Sequence, residues 1–114
     1  MIAHIVLFRP RADLTAGDRQ NLVRAFRLAL REIPAVRRSR VGRRILHGRQ
    51  YEQVTRENYE YAAILEFDDA AGLTAYLEHP AHARLGELFS SAFEAALIYD
   101  YELRDGQDAL MDYP

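Results

Sequence analysis

Apolar residues occupy both faces of the first predicted strand, over residues 2–9. One face holds an imidazole among apolar side chains and consists of Ile2, His4, Val6 and Phe8. The other face is wholly apolar and consists of Ala3, Ile5 and Leu7. Pro10 closes the strand, since proline has no N–H to donate to a sheet. Both faces therefore need to be covered from solvent.

A helix is predicted between the first and second strands. Thr15 and Asp18 have the spacing of a capping box, with aspartate in place of the usual glutamate or glutamine. Apolar residues then recur at helical spacing, at Leu22, Phe26, Ala29, Leu30 and Ile33. Pro34 predicts the end of this helix.

Three more strands are predicted along the chain. The arginine-rich segment 36–47 is interpreted as a strand with an irregularity at Gly42. A polar loop over 47–58 leads to a strand over 59–67, and the last strand covers 97–103. The residues after Arg104 form a polar tail that we expect to be loosely held.

Two helices are predicted around Pro80. Asp68 or Asp69 can cap the first, which carries Leu73, Tyr76 and Leu77. Pro80 ends that helix and begins the next, because it lacks an N–H and its φ is already close to helical. His82 then heads an apolar stripe that continues through Leu85, Phe89 and Ala92.

The element order β-α-β-β-α-α-β predicts an α+β fold of the split βαβ type. Four strands with helices on one side leave the second sheet face uncovered, and a second copy packed sheet on sheet would cover it. We therefore predict a homodimer through the face that consists of Ala3, Ile5, Leu7, Ala62 and Ile64. The twofold period alone also allows the opposite arrangement, in which the His4 face forms the interface.

The composition of the chain excludes several kinds of chemistry and disfavours two classes of partner. A chain of 114 residues builds one domain, and its net charge of −2 does not favour nucleic acid or a membrane surface as a partner. It has no cysteine and its 15 basic residues are all arginine, which excludes disulfides, thiolate chemistry and a Schiff-base lysine. No apolar run approaches the length of a membrane span, so we expect a cytoplasmic protein.

His82, Tyr76 and His4 are the candidate catalytic residues. Two imidazoles and a phenol directed into one apolar interior suit proton transfer on a small molecule, with His82 as general base and the other two as orienting or donor groups. The alternative is that all three are hydrogen-bonded core residues. An apolar substrate pocket that reaches His82 would favour catalysis, and its predicted further lining is Phe26, Tyr61, Leu85 and Phe89.

The other basic side chains have simpler interpretations. His79 precedes a proline at a helix C-terminus, where an imidazolium stabilises the last carbonyls. No carboxylate stands at a spacing that would complete a metal site with His79 and His82, so we predict no metal or cofactor. Six arginines within 13 residues indicate a solvated strand edge, with an anion site as the alternative: Arg37, Arg38, Arg40, Arg43, Arg44 and Arg49.

Several of these segments resemble the stress-responsive dimeric α/β-barrel (Dabb) family. The resemblance rests on Met1–Phe8, Ile33–Val36 leading to Gly42, Leu65–Phe67 and Tyr76–His82. The His-Pro-x-His element at 79–82 is its most specific part. It covers residues 1–103, leaving 104–114 as a C-terminal tail, and implies a ferredoxin-like protomer that forms a dimeric α/β barrel with a second copy.

The resemblance also implies an activity. The family includes a cyclase that closes a linear polyketide thioester by aldol chemistry, and its site residues match His4, Tyr76 and His82. Two of its pocket positions differ here, where Phe26 replaces a tyrosine and Tyr61 replaces a histidine. We therefore predict a small cofactor-independent lyase, cyclase or isomerase that acts on a hydrophobic, polyketide-like carbonyl compound. The alternative is a non-catalytic, stress-responsive dimer that binds a small molecule.

Overall fold

Four strands and four helices make up the fold in the computed structural model, which describes residues 1–114. In chain order they are β1 (Ile2–Pro10), α1 (Ala16–Glu32), β2 (Arg38–Arg43), α2 (Tyr51–Val54), β3 (Tyr61–Phe67), α3 (Ala70–Glu78), α4 (Pro80–Ala92) and β4 (Phe93–Glu102). A short 3₁₀ helix, Gln107–Met111, lies in the C-terminal tail. None of the helices combines the length and the hydrophobicity that crossing a bilayer requires.

The strands form one antiparallel sheet in the order β2-β3-β1-β4. β1 lies between β3 and β4 and pairs with both, while β2 pairs only with β3 and forms an edge. This arrangement is the predicted ferredoxin-like α+β fold, with the additional single-turn helix α2 in the segment interpreted as a loop.

Local signals predicted correctly where α1, α3 and α4 begin. The Asp18 amide donates to the Thr15 hydroxyl at 3.1 Å, and the Thr15 amide donates to the Asp18 carboxylate at 3.1 Å. Asp69 is the residue that caps α3, where its carboxylate accepts from the Gly72 amide. Pro80 occupies the first turn of α4, so the proline signal places the break between the two helices.

The prediction for β2 was wrong in length and regularity. The strand covers Arg38–Arg43 only, because its single partner β3 begins at Tyr61, opposite Arg43. Ile45 and Leu46 lie beyond it and are 77% and 67% exposed. Gly42 pairs in regular register with Ala62, and the register shift in the sheet occurs instead between Arg9 and Pro10.

The last strand also differs from its prediction, since β4 starts at Phe93 directly after α4. Its added residues pair with the end of β1 around Pro10 and Arg9. The sequence gives no turn signal here because the helix passes into the strand without a loop.

The buried core lies at one end of the space between sheet and helices. It consists of Ala29, Ile33, Leu65, Phe67, Tyr76 and Ala81. Only ten of the 114 residues are buried in the single chain, which is a small core for a domain of this size. Much of the apolar surface therefore borders either a cavity or solvent.

The outer face of the sheet, opposite the helices, carries the residues predicted to form an interface. Ile5 lies beside Ile64 on one neighbouring strand and Tyr99 on the other, and Leu7 lies beside Ala62 and Leu97. The molecule is 19 Å thick, the depth of one sheet and one helix layer, so no second layer of helices or strands lies over this face. The alternative interface, through the His4 face of the sheet, is excluded because the helices of the same chain pack on that face.

Candidate active site

A cavity of about 510 Å³ lies between the sheet and helices α1 and α4. This volume falls within the range of small-molecule sites. Every side chain predicted to surround a pocket lines it: His4, Phe26, Tyr61, Tyr76, His82, Leu85 and Phe89. The inner row of β1 provides the floor, because residues two apart on a strand share a face.

Tyr76 and His82 are brought together by the break at Pro80. α3 ends at Glu78 and α4 begins at Pro80, so the two side chains come from separate helices that meet at an angle. Their ring centroids are 4.6 Å apart in an edge-to-face arrangement, and the ring centroid of His4 lies 5.9 Å from that of Tyr76. Three groups capable of proton transfer therefore share one end of the cavity.

The Tyr76 hydroxyl has no hydrogen-bond partner within the chain. Tyr76 is only 3% exposed, yet no fully shielded side-chain nitrogen or oxygen of the protein lacks a partner. The hydroxyl therefore borders open space, and the space it borders is the cavity that Tyr76 lines. Tyr76 and His82 contact each other through their rings and not through a hydrogen bond, which leaves the phenol free to bind a ligand.

The surroundings set different protonation states for these two groups. Burial lowers the pKa of His82, the neighbouring His4 lowers it further, and interaction with the Leu77 backbone partly opposes both effects. Burial raises the pKa of Tyr76 to about 12. At neutral pH, His82 is therefore a neutral imidazole able to accept a proton, and Tyr76 is a phenol able to donate a hydrogen bond.

Asp100 is a site residue that the sequence analysis missed. Its carboxylate lies 2.6 Å from Nδ1 of His4, and the two residues are directly opposed on β4 and β1. Because a carboxylate only accepts, Nδ1 carries the proton and Nε2 is left for the interior. A signal was present, since Asp100 follows Ile98 on the same face of β4 and is the one acidic residue within the stretch Ala95–Tyr101.

His79 has a structural role that differs from the predicted one. Its Nδ1 accepts a hydrogen bond from the Ala81 amide at 3.0 Å, so it caps the N-terminus of α4. An accepting Nδ1 requires a neutral ring, whereas the sequence predicted an imidazolium at the end of α3. Because Pro80 begins α4 directly after α3, His79 is both the C-terminal cap residue of α3 and the N-terminal cap residue of α4. Its side chain caps α4, because it accepts the hydrogen bond from the Ala81 amide.

The arginine run lies along the exposed edge strand β2 and the loop that follows it. Arg37 forms an ion pair with Asp68 at 2.9 Å, and Arg44 donates to the Asn58 side chain at 2.7 Å. This placement agrees with a solvated strand edge. Nowhere in the protein do three or more His, Asp or Glu side chains come together in an arrangement that could hold a metal ion.

Three known proteins show how far the similarity extends. Olivetolic acid cyclase from Cannabis sativa is 22% identical over 104 residues, covering 90% of this chain and 97% of that protein. A hydroxynitrile lyase from Passiflora edulis has a TM-score of 0.75 at 14% identity, with 92% of this chain and 94% of that chain covered. A dimeric ferredoxin-like protein of unknown function from Jannaschia has a TM-score of 0.67 at 28% identity, with 90% and 98% covered.

A family model shows the kinship more directly than these individual similarities. The model described as Stress responsive A/B Barrel Domain matches residues 2–103, which include all four strands and the three longer helices. The chain therefore belongs to the stress responsive A/B barrel domain (Dabb) family.

Proposed function

We propose that this protein is a cofactor-independent lyase, cyclase or isomerase that removes a proton next to the carbonyl of a small hydrophobic, polyketide-like compound. The observation that carries the proposal is the pairing of an unpartnered Tyr76 phenol with a neutral His82 imidazole at one end of an apolar cavity. If these groups only filled a core, they would be hydrogen-bonded to each other and no cavity would lie beside them.

The two groups divide the chemistry. His82 accepts the proton from the carbon, and the electron pair moves onto the carbonyl oxygen. The Tyr76 phenol donates a hydrogen bond to that oxygen as it becomes negative. The enolate then attacks a second carbonyl or expels a leaving group, and His82 returns its proton to the product oxygen or carbon. His4, held by Asp100, orients the ligand from the opposite wall.

Kinship supports the same class of reaction. One similar protein is named as a cyclase and another as a hydroxynitrile lyase, on the same fold. Two pocket positions, Phe26 and Tyr61, depart from the pattern of the polyketide cyclase. We therefore propose only the reaction class, and we expect these two altered positions of the cavity wall to determine which substrate is bound.

We also propose that the active form is a homodimer packed through the outer face of the sheet. That face carries apolar side chains on three adjacent strands and has no helix over it. Leu97 and Tyr99, which are 37% and 51% exposed, extend the five predicted residues. The similar Jannaschia protein is itself dimeric. Face-to-face packing of two copies would leave both cavities on the outside of the barrel, under their own helices.

Exchange of protons in D₂O tests the proposal without the natural substrate. We expect the wild-type protein to accelerate deuterium incorporation beside the carbonyl of a medium-chain 3-oxoacyl thioester, followed by NMR. His82→Ala should reduce that rate by about two to four orders of magnitude, the usual contribution of a positioned base. His82→Gln provides a second variant with a larger side chain in case the alanine protein is unstable.

Two results would contradict the proposal. One is a wild-type rate no faster than the buffer background across a series of chain lengths. The other is an unchanged rate in a folded His82→Ala or His82→Gln protein, which would make His82 a core residue.

A further inference from the structure

The cavity has a second polar end, far from His82. Arg19 is the one Arg, Lys, Asp or Glu residue among those that line it, and Ser90 lines it as well. Ser90 follows His82 by eight residues on α4, a rise of about 12 Å. The C-terminal half of α1 packs in the core cluster with Tyr76, so Arg19, near the N-terminus of α1, lies at the opposite end.

Neither polar group has a side-chain partner in the structure. The two carboxylates closest to Arg19 in sequence are occupied, since Asp18 belongs to the capping box and Asp13 binds Arg11 through two hydrogen bonds. Arg19 takes part in no ion pair, and the Ser90 hydroxyl makes no hydrogen bond. The adjacent Ser91 hydroxyl, by contrast, donates to the backbone carbonyls of its own helix.

We propose that Arg19, assisted by Ser90, binds an oxyanion at the end of the substrate remote from the reacting carbonyl. A guanidinium presents paired N–H donors that match a carboxylate or a phosphate, and the hydroxyl supplies a further donor. The wall between the two ends is apolar, with Phe26, Leu85 and Phe89 along it. The substrate is therefore an elongated apolar carbonyl compound with an anionic terminus, of a length comparable to the roughly 12 Å between His82 and Ser90 along α4.

This inference rests on the proposed function for the position of the carbonyl, but the anion site has its own readout. Arg19 is exposed, so its contribution is screened and falls as salt rises. Its main effect is then to select and orient the ligand, with the apolar wall supplying most of the affinity.

Binding of three probes of equal chain length tests the site by calorimetry: decanoate, decyl phosphate and methyl decanoate. The wild-type protein should bind both anions more tightly than the neutral ester, and the ratio of the two anions separates a carboxylate from a phosphate preference. Arg19→Gln should weaken anion binding by about three- to tenfold and leave ester binding unchanged. Arg27→Gln is the matched control, since Arg27 is an exposed arginine of the same helix outside the cavity lining.

Equal binding of anions and ester by the wild type would overturn the proposal, as would an equal loss of all three in Arg19→Gln. Failure of both anions to bind would also overturn it. His82→Ala should retain the anion preference, because it changes only the other end of the cavity. A protein without proton exchange but with an Arg19-dependent anion preference would contradict the proposed function and support the anion site.

Discussion

Successive residues of β1 serve two unlike surfaces. The inner row of His4, Val6 and Phe8 faces the cavity, and its histidine is tied to Asp100. The outer row of Ala3, Ile5 and Leu7 carries no titratable group and pairs with apolar side chains on both neighbouring strands except at Glu66. One strand thus provides polar groups where a ligand would lie and apolar groups where a second copy would pack.

The comparison shows that hydrophobicity alone does not distinguish a binding cavity from an interface. Both faces are rich in apolar side chains, and burying either one is favourable. What separates them is a polar atom without a protein partner, since the Tyr76 hydroxyl is left free on the inner side. An interface between two copies has no use for such atoms, whereas a site for chemistry does.

Charging the outer face provides the strongest test of the comparison. Ile64→Glu would place a carboxylate opposite Ile5 at the centre of the sheet. Burying that charge without a partner should cost several kcal/mol, roughly, so the dimer should dissociate at micromolar concentration in sedimentation. Ile45→Glu is the matched control, because Ile45 is 77% exposed and lies outside the sheet. A wild-type monomer at that concentration, or a dimer unaffected by Ile64→Glu, would show that the outer face is not the interface.

The second-largest effect is expected from removal of the Tyr76 hydroxyl, on the inner side of the sheet. Tyr76→Phe should lower kcat by about a hundredfold, as expected for loss of a donor to a developing oxyanion. Stability should not fall, because the hydroxyl has no protein partner to lose. Tyr61→Phe is the control, since Tyr61 lines the same cavity but lies far from the catalytic end. It stacks on Phe8, and Phe8 is about 13 Å from His4 along β1. A thermal destabilisation of Tyr76→Phe without a kinetic effect would assign the hydroxyl to structure.

The sequence predicted those features that depend on short stretches of chain. The capping box at Thr15, the cap at Asp69 and the break at Pro80 are local, and all three are present. Alternation along β1 identified both faces correctly because a strand has a fixed period of two. Placing His4, Tyr76 and His82 around one cavity followed from combining these local signals with the family resemblance.

Features that depend on distant residues were not predicted. The end of β2 is set by where β3 begins, so the apolar pair Ile45 and Leu46 predicted a longer strand than the one that forms. Asp100 lies 96 residues from His4, and the pairing of β1 with β4 alone brings them together. The choice of His79 between two helix boundaries depended on a single hydrogen bond to Ala81.

Breaking the His4–Asp100 pair should have a moderate effect. Asp100→Ala leaves Nδ1 of His4 without its acceptor, and we expect kcat/KM to fall by about tenfold, typical for a residue that orients a site histidine. Asp100→Asn keeps an acceptor and should restore part of the activity. The double variant His4→Ala/Asp100→Ala should be no worse than His4→Ala, since the carboxylate acts through the ring. Additive losses would mean that Asp100 acts on the substrate independently.

The smallest expected effect is on the thermal stability of the protein at acidic pH, which depends on the protonation of His82. The folded-state pKa of His82 lies below its ordinary value of 6.5, mainly because the ring is desolvated. Between the folded pKa and 6.5 the unfolded chain binds more protons, so folding stability falls as the pH drops through this window. His82→Gln removes that proton uptake, and its Tm should therefore decrease less than that of the wild type between pH 7.5 and 5.5. The difference should stay within about 5 °C, because His82 is only partly buried. If the Tm of the two proteins depended on pH in the same way, His82 would be solvated in the folded protein. Its pKa would then not be lowered by desolvation, and this reason for a neutral base in the cavity would fail.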